Sequence, residues 1–64
     1  MRISLKAARH NKNLTQDDVA KALGVEKKTV WSWENGRSVP SVDKVDLICS
    51  LYGCAYYDIE WGRT

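Results

Sequence analysis

The 64 residues contain no phenylalanine, one proline, one methionine, one histidine and two cysteines. Each shortage removes a class of protein. Cys49 and Cys54, five positions apart with one distant histidine, fit neither a disulfide framework nor the spacing of a zinc site, so they are expected to be reduced and to pack as small apolar residues. His10 has no serine or cysteine nucleophile in a motif, and no acidic or cysteine cluster has metal-ligand spacing. No metal, no cofactor and no enzymatic activity are therefore expected. No apolar run approaches the roughly 20 residues of a membrane span, and no apolar segment follows the basic start "MRISLKAARHNKN" as a signal sequence requires. A cytoplasmic protein without a membrane partner is the expectation.

Length narrows the choice further. A chain of this size makes one domain, expected over residues 1–64, and buries only about 60% of the surface its unfolded form exposes. Most of its Leu, Val, Ile and Trp must go to the core, with little left to build a concave site. Charge is sparse but unevenly placed. Residues 1–37 hold eight basic and four acidic side chains, a net +4, whereas residues 38–64 hold two and four, a net −2. A basic front and an acidic back would orient the molecule toward a polyanion.

What the sequence has in abundance is short helical patterns between breakers. Alternation of the strand kind is scarce, so an all-α bundle of about five short helices is expected. The first covers about Arg2–Lys12, with Leu5, Ala8 and Arg9 on one face; an arginine on that stripe needs a partner if buried. The second, about Gln16–Leu23, starts at Thr15 as N-cap with Asp18 completing a capping-box-like pair and stops at Gly24. The third covers about Lys27–Asn35. With Val30 at 0° and about 100° per residue, Trp33 falls near 300° and Thr29 near 260°, while Lys28, Trp31, Ser32 and Asn35 fall between about 100° and 200°. Trp33 thus joins Val30 in the core and Trp31 sits on the polar face. Asn35-Gly36 ends this helix, and "RSVP" forms a loop. A fourth helix starts with Ser41 as N-cap and runs through Val42, Val45, Ile48, Cys49 and Tyr52 to Gly53, and the tail makes a short fifth near Tyr56–Trp61.

Two short helices joined by a Gly-containing turn, the second with a basic outer face, form a helix-turn-helix candidate. The stretch "LTQDDVAKALGVEKKTVWSWENGRSVPS", Leu14 to Ser41, resembles the Cro and phage-repressor (Xre-type) helix-turn-helix family in its Leu-Thr-Gln opening, acidic pair, Val-Ala, Gly-Val turn, Glu-Asn-Gly and Pro-Ser. The resemblance implies the lambda-repressor-like fold and a sequence-specific, repressor-like regulator that reads double-stranded DNA with its third helix. By alignment it places Lys27, Lys28 and Ser32 at bases in the major groove, lysine being a donor suited to guanine O6 and N7 or thymine O4. Gln16, Asn35 and Arg37 fall at positions that touch the DNA backbone, and Thr29 is placed with them, although it also fits base reading or mere packing. Arg9 and Glu34 fall where the family has an ion pair linking the first helix to the end of the third. Two positions depart from the pattern. Glu26 stands where Ser or Thr usually caps the recognition helix, and Trp31 where a charged or polar residue is common. A DNA edge contact and packing on the loop are both open to Trp31.

A single module makes few contacts, and such motifs commonly bind two half-sites about one helical turn apart, so a homodimer on DNA is expected. Leu47, Leu51, Tyr56, Tyr57, Ile59 and Trp61 are candidates for its interface, although a core layer from the tail explains many of them equally well. The alternative reading is a protein-interaction module or antitoxin-like regulator whose partner covers Trp31 and the aromatic tail. A phage or mobile-element origin is implied by the family alone.

Overall fold

Ser4 begins the first helix, two positions later than the apolar spacing alone suggests: its Oγ accepts the backbone N–H of Ala7 at 3.0 Å, an N-cap bond. The computed structural model describes residues 2–61, and Met1 and residues 62–64 of the expected domain lie outside them. Within them the order is β1 (Ile3–Ser4), α1 (Leu5–Asn11), α2 (Gln16–Leu23), α3 (Lys27–Glu34), α4 (Val42–Tyr52), a 3-10 turn (Tyr56–Asp58) and β2 (Ile59–Glu60). The fold is all-α in its architecture, with four α-helices among the described residues.

Both ends differ from the helical reading. Residues Ile3 and Ser4, expected inside the first helix, pair in parallel with Ile59 and Glu60, expected inside the fifth. The tail therefore makes one 3-10 turn and a two-residue strand where a helix was expected. The reason is burial: in extended geometry successive side chains point to opposite faces, so Ile59 enters the core at 1% exposure while Glu60 stays in solvent.

α2 shows the strongest agreement between sequence and local structure. Thr15 Oγ1 accepts from Asp18 N at 3.0 Å, and Asp18 Oδ2 accepts from Thr15 N at 2.9 Å, a complete capping box. Gly24 closes the helix at φ +70°, with open space where a Cβ would stand, so only the left-handed backbone demands glycine here. Lys44 of α4 donates to the Leu23 carbonyl at 3.1 Å, placing a cation at the negative end of α2. The box holds the Asp18 carboxyl below its usual range, chiefly through the Thr15 backbone N–H. A depressed carboxyl adds stability above its unfolded pKa that is lost as pH falls through the folded one. Thr15→Ala is expected to cost about 0.5–2 kcal/mol at neutral pH, and Asp18→Asn to flatten the acid limb of stability. Urea titrations from pH 7 to 2 measure both; an unchanged acid limb in Asp18→Asn removes the box as its source.

The core collects Leu5 and Ala8 of α1, Val19, Ala20 and Leu23 of α2, Val30 and Trp33 of α3, Ile48 and Tyr52 of α4, and Ile59 of β2. Every helix contributes one face at helical spacing. Val42, expected on the buried stripe of α4, is instead 78% exposed. It occupies the first position of the helix, where the chain enters from Pro40 and Ser41 before α4 reaches the core. No helix among the described residues is long and apolar enough to cross a membrane.

Candidate nucleic-acid interface

The pairing of α2 with α3 fixes what α3 presents to solvent. Ala20, 6% exposed, gives close approach, and the Val25 N–H returns to the Ala20 carbonyl at 3.0 Å through the Gly24 turn. Val30 and Trp33 then anchor α3 inward at 2% and 7% exposure, and the opposite face carries Lys27, Lys28 and Trp31, all exposed, with Ser32 and Thr29 half-buried beside them. The two tryptophans thus divide as the helical phase requires, with Trp31 at 46% exposure. Glu26 occupies the N-cap of α3 without a side-chain hydrogen bond, so no side chain covers the first N–H groups of that helix.

A buried ionic network holds α3 from behind. Arg9 Nε donates to Glu34 Oε2 at 2.6 Å and Nη2 to Glu34 Oε1 at 3.1 Å, a bidentate pair whose side chains are 8% and 3% exposed. Arg9 Nη1 donates to the Leu14 carbonyl at 2.9 Å, and Gln16 Nε2 to Glu34 Oε1 at 3.0 Å. Three helices therefore meet at one carboxylate, and the α1–α2 loop joins them through the Arg9 guanidinium. The Glu34 hydrogen bond raises the Arg9 pKa against the lowering effect of burial, while burial, then the Glu34 charge, pushes Tyr52 up to about 12. Gln16, aligned with a backbone-contacting glutamine, is thereby given a protein partner that the sequence did not reveal.

At its far end α3 turns back on itself. Gly36, at φ +70°, donates to the Trp33 carbonyl at 3.4 Å, and Arg37 N to the Ser32 carbonyl at 2.9 Å. These two bonds are the pattern of a Schellman motif. The loop consequently returns along the exposed face: Ser38 Oγ lies 2.9 Å from Ser32 Oγ, and the Arg37 guanidinium carbon lies 5.7 Å from the Trp31 ring centroid. Asn35 Nδ2 donates to the Trp31 carbonyl at 2.8 Å. Lys28, Thr29, Trp31, Ser32 and Ser38 line an open groove of about 350 Å³. Ser38 was not singled out in the sequence, where nothing but the Gly36 turn hinted that it would fold back.

The candidate interface residues on the other side differ in exposure, and Ile59 among them is a core residue at 1% exposure. Leu47 and Tyr57 are exposed, whereas Leu51 and Trp61 are half-buried and pack against the core. Trp61 stacks on Tyr56 with centroids 5.5 Å apart, and its Nε1 donates to the Tyr56 carbonyl at 2.7 Å. The exposed Val39, and Val42 that was expected to be buried, join Tyr56 and Trp61 around an apolar groove of about 450 Å³. Cys49 and Cys54 are free thiols, and burial raises the pKa of Cys49.

Comparison with known proteins agrees with this arrangement. The chain is 39% identical over 59 residues to an uncharacterized HTH-type transcriptional regulator of Methanocaldococcus jannaschii, covering 92% of this chain and 89% of that one. It is 32% identical over 56 residues to the antitoxin PezA of Streptococcus pneumoniae, covering 88% of this chain but only 35% of the antitoxin. No solved structure matches the chain significantly. A helix-turn-helix domain family model, however, matches residues 1–63, and it is to this family that the chain belongs.

Proposed function

We propose that the chain is a sequence-specific, repressor-like transcriptional regulator of the Cro/Xre type that reads the major groove with α3. The observation that carries this reading is the division of α3 into a buried half, fixed by Val30, Trp33 and the Arg9–Glu34 pair, and an outer half bearing Lys27, Lys28 and Ser32. A rigid element presenting donors outward is what direct readout of base edges needs. Lys27, Lys28 and Ser32 read bases, and Gln16, Thr29, Asn35 and Arg37 meet the backbone, which sets register without specifying sequence. The transcriptional regulator among the relatives supports the same reading. Two copies act on two half-sites, and the protein works in the cytoplasm on the nucleoid.

Selection of a random duplex library on the purified protein at about 150 mM salt tests this directly. An enriched palindrome is expected, and Lys28→Ala should relax the preference at one base position at a cost of about 1–3 kcal/mol for the preferred base. Uniform, salt-labile binding with no enriched sequence would overturn it. The second reading, an antitoxin-like regulator with a protein partner, draws on the antitoxin relative and on the apolar groove of Val39, Val42, Tyr56 and Trp61. It predicts that DNA binding without sequence preference will be accompanied by loss of partner binding in Val42→Asp.

A further inference from the structure

We infer that Trp31 is a positioning residue for Arg37: the indole holds the guanidinium along the outer face of α3, where it meets a phosphate of the bound duplex, and the Ser32–Ser38 contact fastens the loop that delivers it. The inference deepens the DNA-binding reading and rests on it. A large aromatic ring, 46% exposed, on the face of α3 that carries Lys27 and Lys28 keeps apolar surface in water and forgoes the gain of core burial. The contact it does make is with Arg37, 5.7 Å from the ring centroid to the guanidinium carbon. That contact is set up by the backbone, because the Schellman turn at Gly36 brings residue 37 back over residue 31.

Such turns commonly close on an apolar contact between the residue after the glycine and one a turn earlier in the helix. Here a cation on an indole fills that place. Arginine suits the position because its planar group stacks by one face and leaves its N–H edge free for a planar acceptor such as phosphate. No carboxylate among the described residues takes Arg37 as an ion-pair partner, in contrast to Arg9. A free arginine loses rotamer freedom on binding. The cation–π contact with Trp31 removes part of that loss beforehand, as does the 2.9 Å contact between Ser38 and Ser32, which ties the loop to the helix.

A double-mutant cycle on the selected duplex tests the assignment. Arg37→Ala is expected to weaken binding about tenfold, as for a hydrogen bond to a charged group, and to lower the magnitude of the salt slope by about 0.9, as for one lost phosphate contact. Trp31→Leu should weaken it about two- to fivefold, the worth of an exposed cation–π contact, without altering the selected sequence, and should have no effect once Arg37 is alanine. Trp31→Tyr should restore most of the affinity. Equal losses from Trp31→Leu with and without Arg37 would overturn the inference, as would a changed base preference, since either makes Trp31 a direct contact. In the protein alone, the Arg37 side-chain protons should be shifted upfield by the ring and return to ordinary positions in Trp31→Leu; unshifted protons overturn the stack whatever the DNA results. A native chain that binds no preferred duplex overturns the parent reading and the phosphate role together, while those proton shifts still report on the stack separately.

Discussion

Arg9→Ala should leave the chain largely unfolded at the upper end of ordinary working temperatures. Removing the guanidinium strands the Glu34 carboxylate at 3% exposure, with only the Gln16 amide still donating to it, and breaking one partner of a buried pair costs about 3–5 kcal/mol. A domain of this length has roughly 3–10 kcal/mol of total stability. With about 4–8 °C per kcal/mol for small domains, Tm should fall by about 12–40 °C. Calorimetry or thermal circular dichroism measures this. A Tm within a few degrees of the native value would mean that Glu34 reaches water in solution and that the network is not a support for α3.

The companion experiment separates the charge from the space. Replacing Arg9 and Glu34 together by leucine removes both charges, and such swaps are often neutral or stabilising elsewhere. Here the half-buried Leu14 carbonyl and Gln16 amide would each lose a partner, at a cost below the roughly 1–3 kcal/mol of a fully buried unsatisfied group. The double variant should therefore recover part of the loss and not all of it. The expected gain from the ion pair is accordingly specificity of the fold: it joins α1 and α2 to the last residue of α3, which on the proposed DNA-binding reading sets the aim of Lys27 and Lys28.

The elements nearest this interface were the most legible in the sequence. Thr15, Asp18 and Gly24 each have a local reason for their identity, a cap bond or a left-handed φ, so α2 could be bounded from single residues. The phase of α3 followed from Val30 and the two tryptophans, because eight residues are enough to define a helical face. The parallel pair of β1 and β2 had no such signal. Two-residue strands cannot show a period, and the partner of Ile3 lies at Ile59, almost the whole chain away. The return of Arg37 and Ser38 over α3 was half legible: Asn35-Gly36 marked the turn, but where the loop would lie depends on hydrogen bonds to Ser32 that no spacing rule contains. Gln16 shows the opposite limit, since alignment assigned it an outward role and the fold also gave it Glu34.

Trp33→Ala should be as damaging as the loss of Arg9, and Trp31→Ala close to neutral for folding, although the two rings stand two residues apart on one helix. Trp33 is 7% exposed in a cluster with Leu5, Leu23 and Val30, and truncating a buried tryptophan to alanine costs about 3–5 kcal/mol. Trp31 lies on the solvent side, where substitutions usually stay within about 0.5 kcal/mol; the lost stack on Arg37 adds at most about 1 kcal/mol. Urea unfolding of the two variants should show a large fall in midpoint for the first and almost none for the second, with the slope unchanged in both. Comparable losses would mean that α3 is rotated from the phase described, which would also turn Lys28 and Ser32 away from the face they share with Trp31. The same pair of variants bears on function in the reverse sense. At a temperature where Trp33→Ala is still folded, its duplex affinity should be near native because the outer face is intact, whereas Trp31→Ala, fully folded, should bind more weakly. The proposed DNA-binding reading thus assigns stability and recognition to opposite sides of one eight-residue helix, and a crossed result, with stability following Trp31 and binding following Trp33, would invert that assignment.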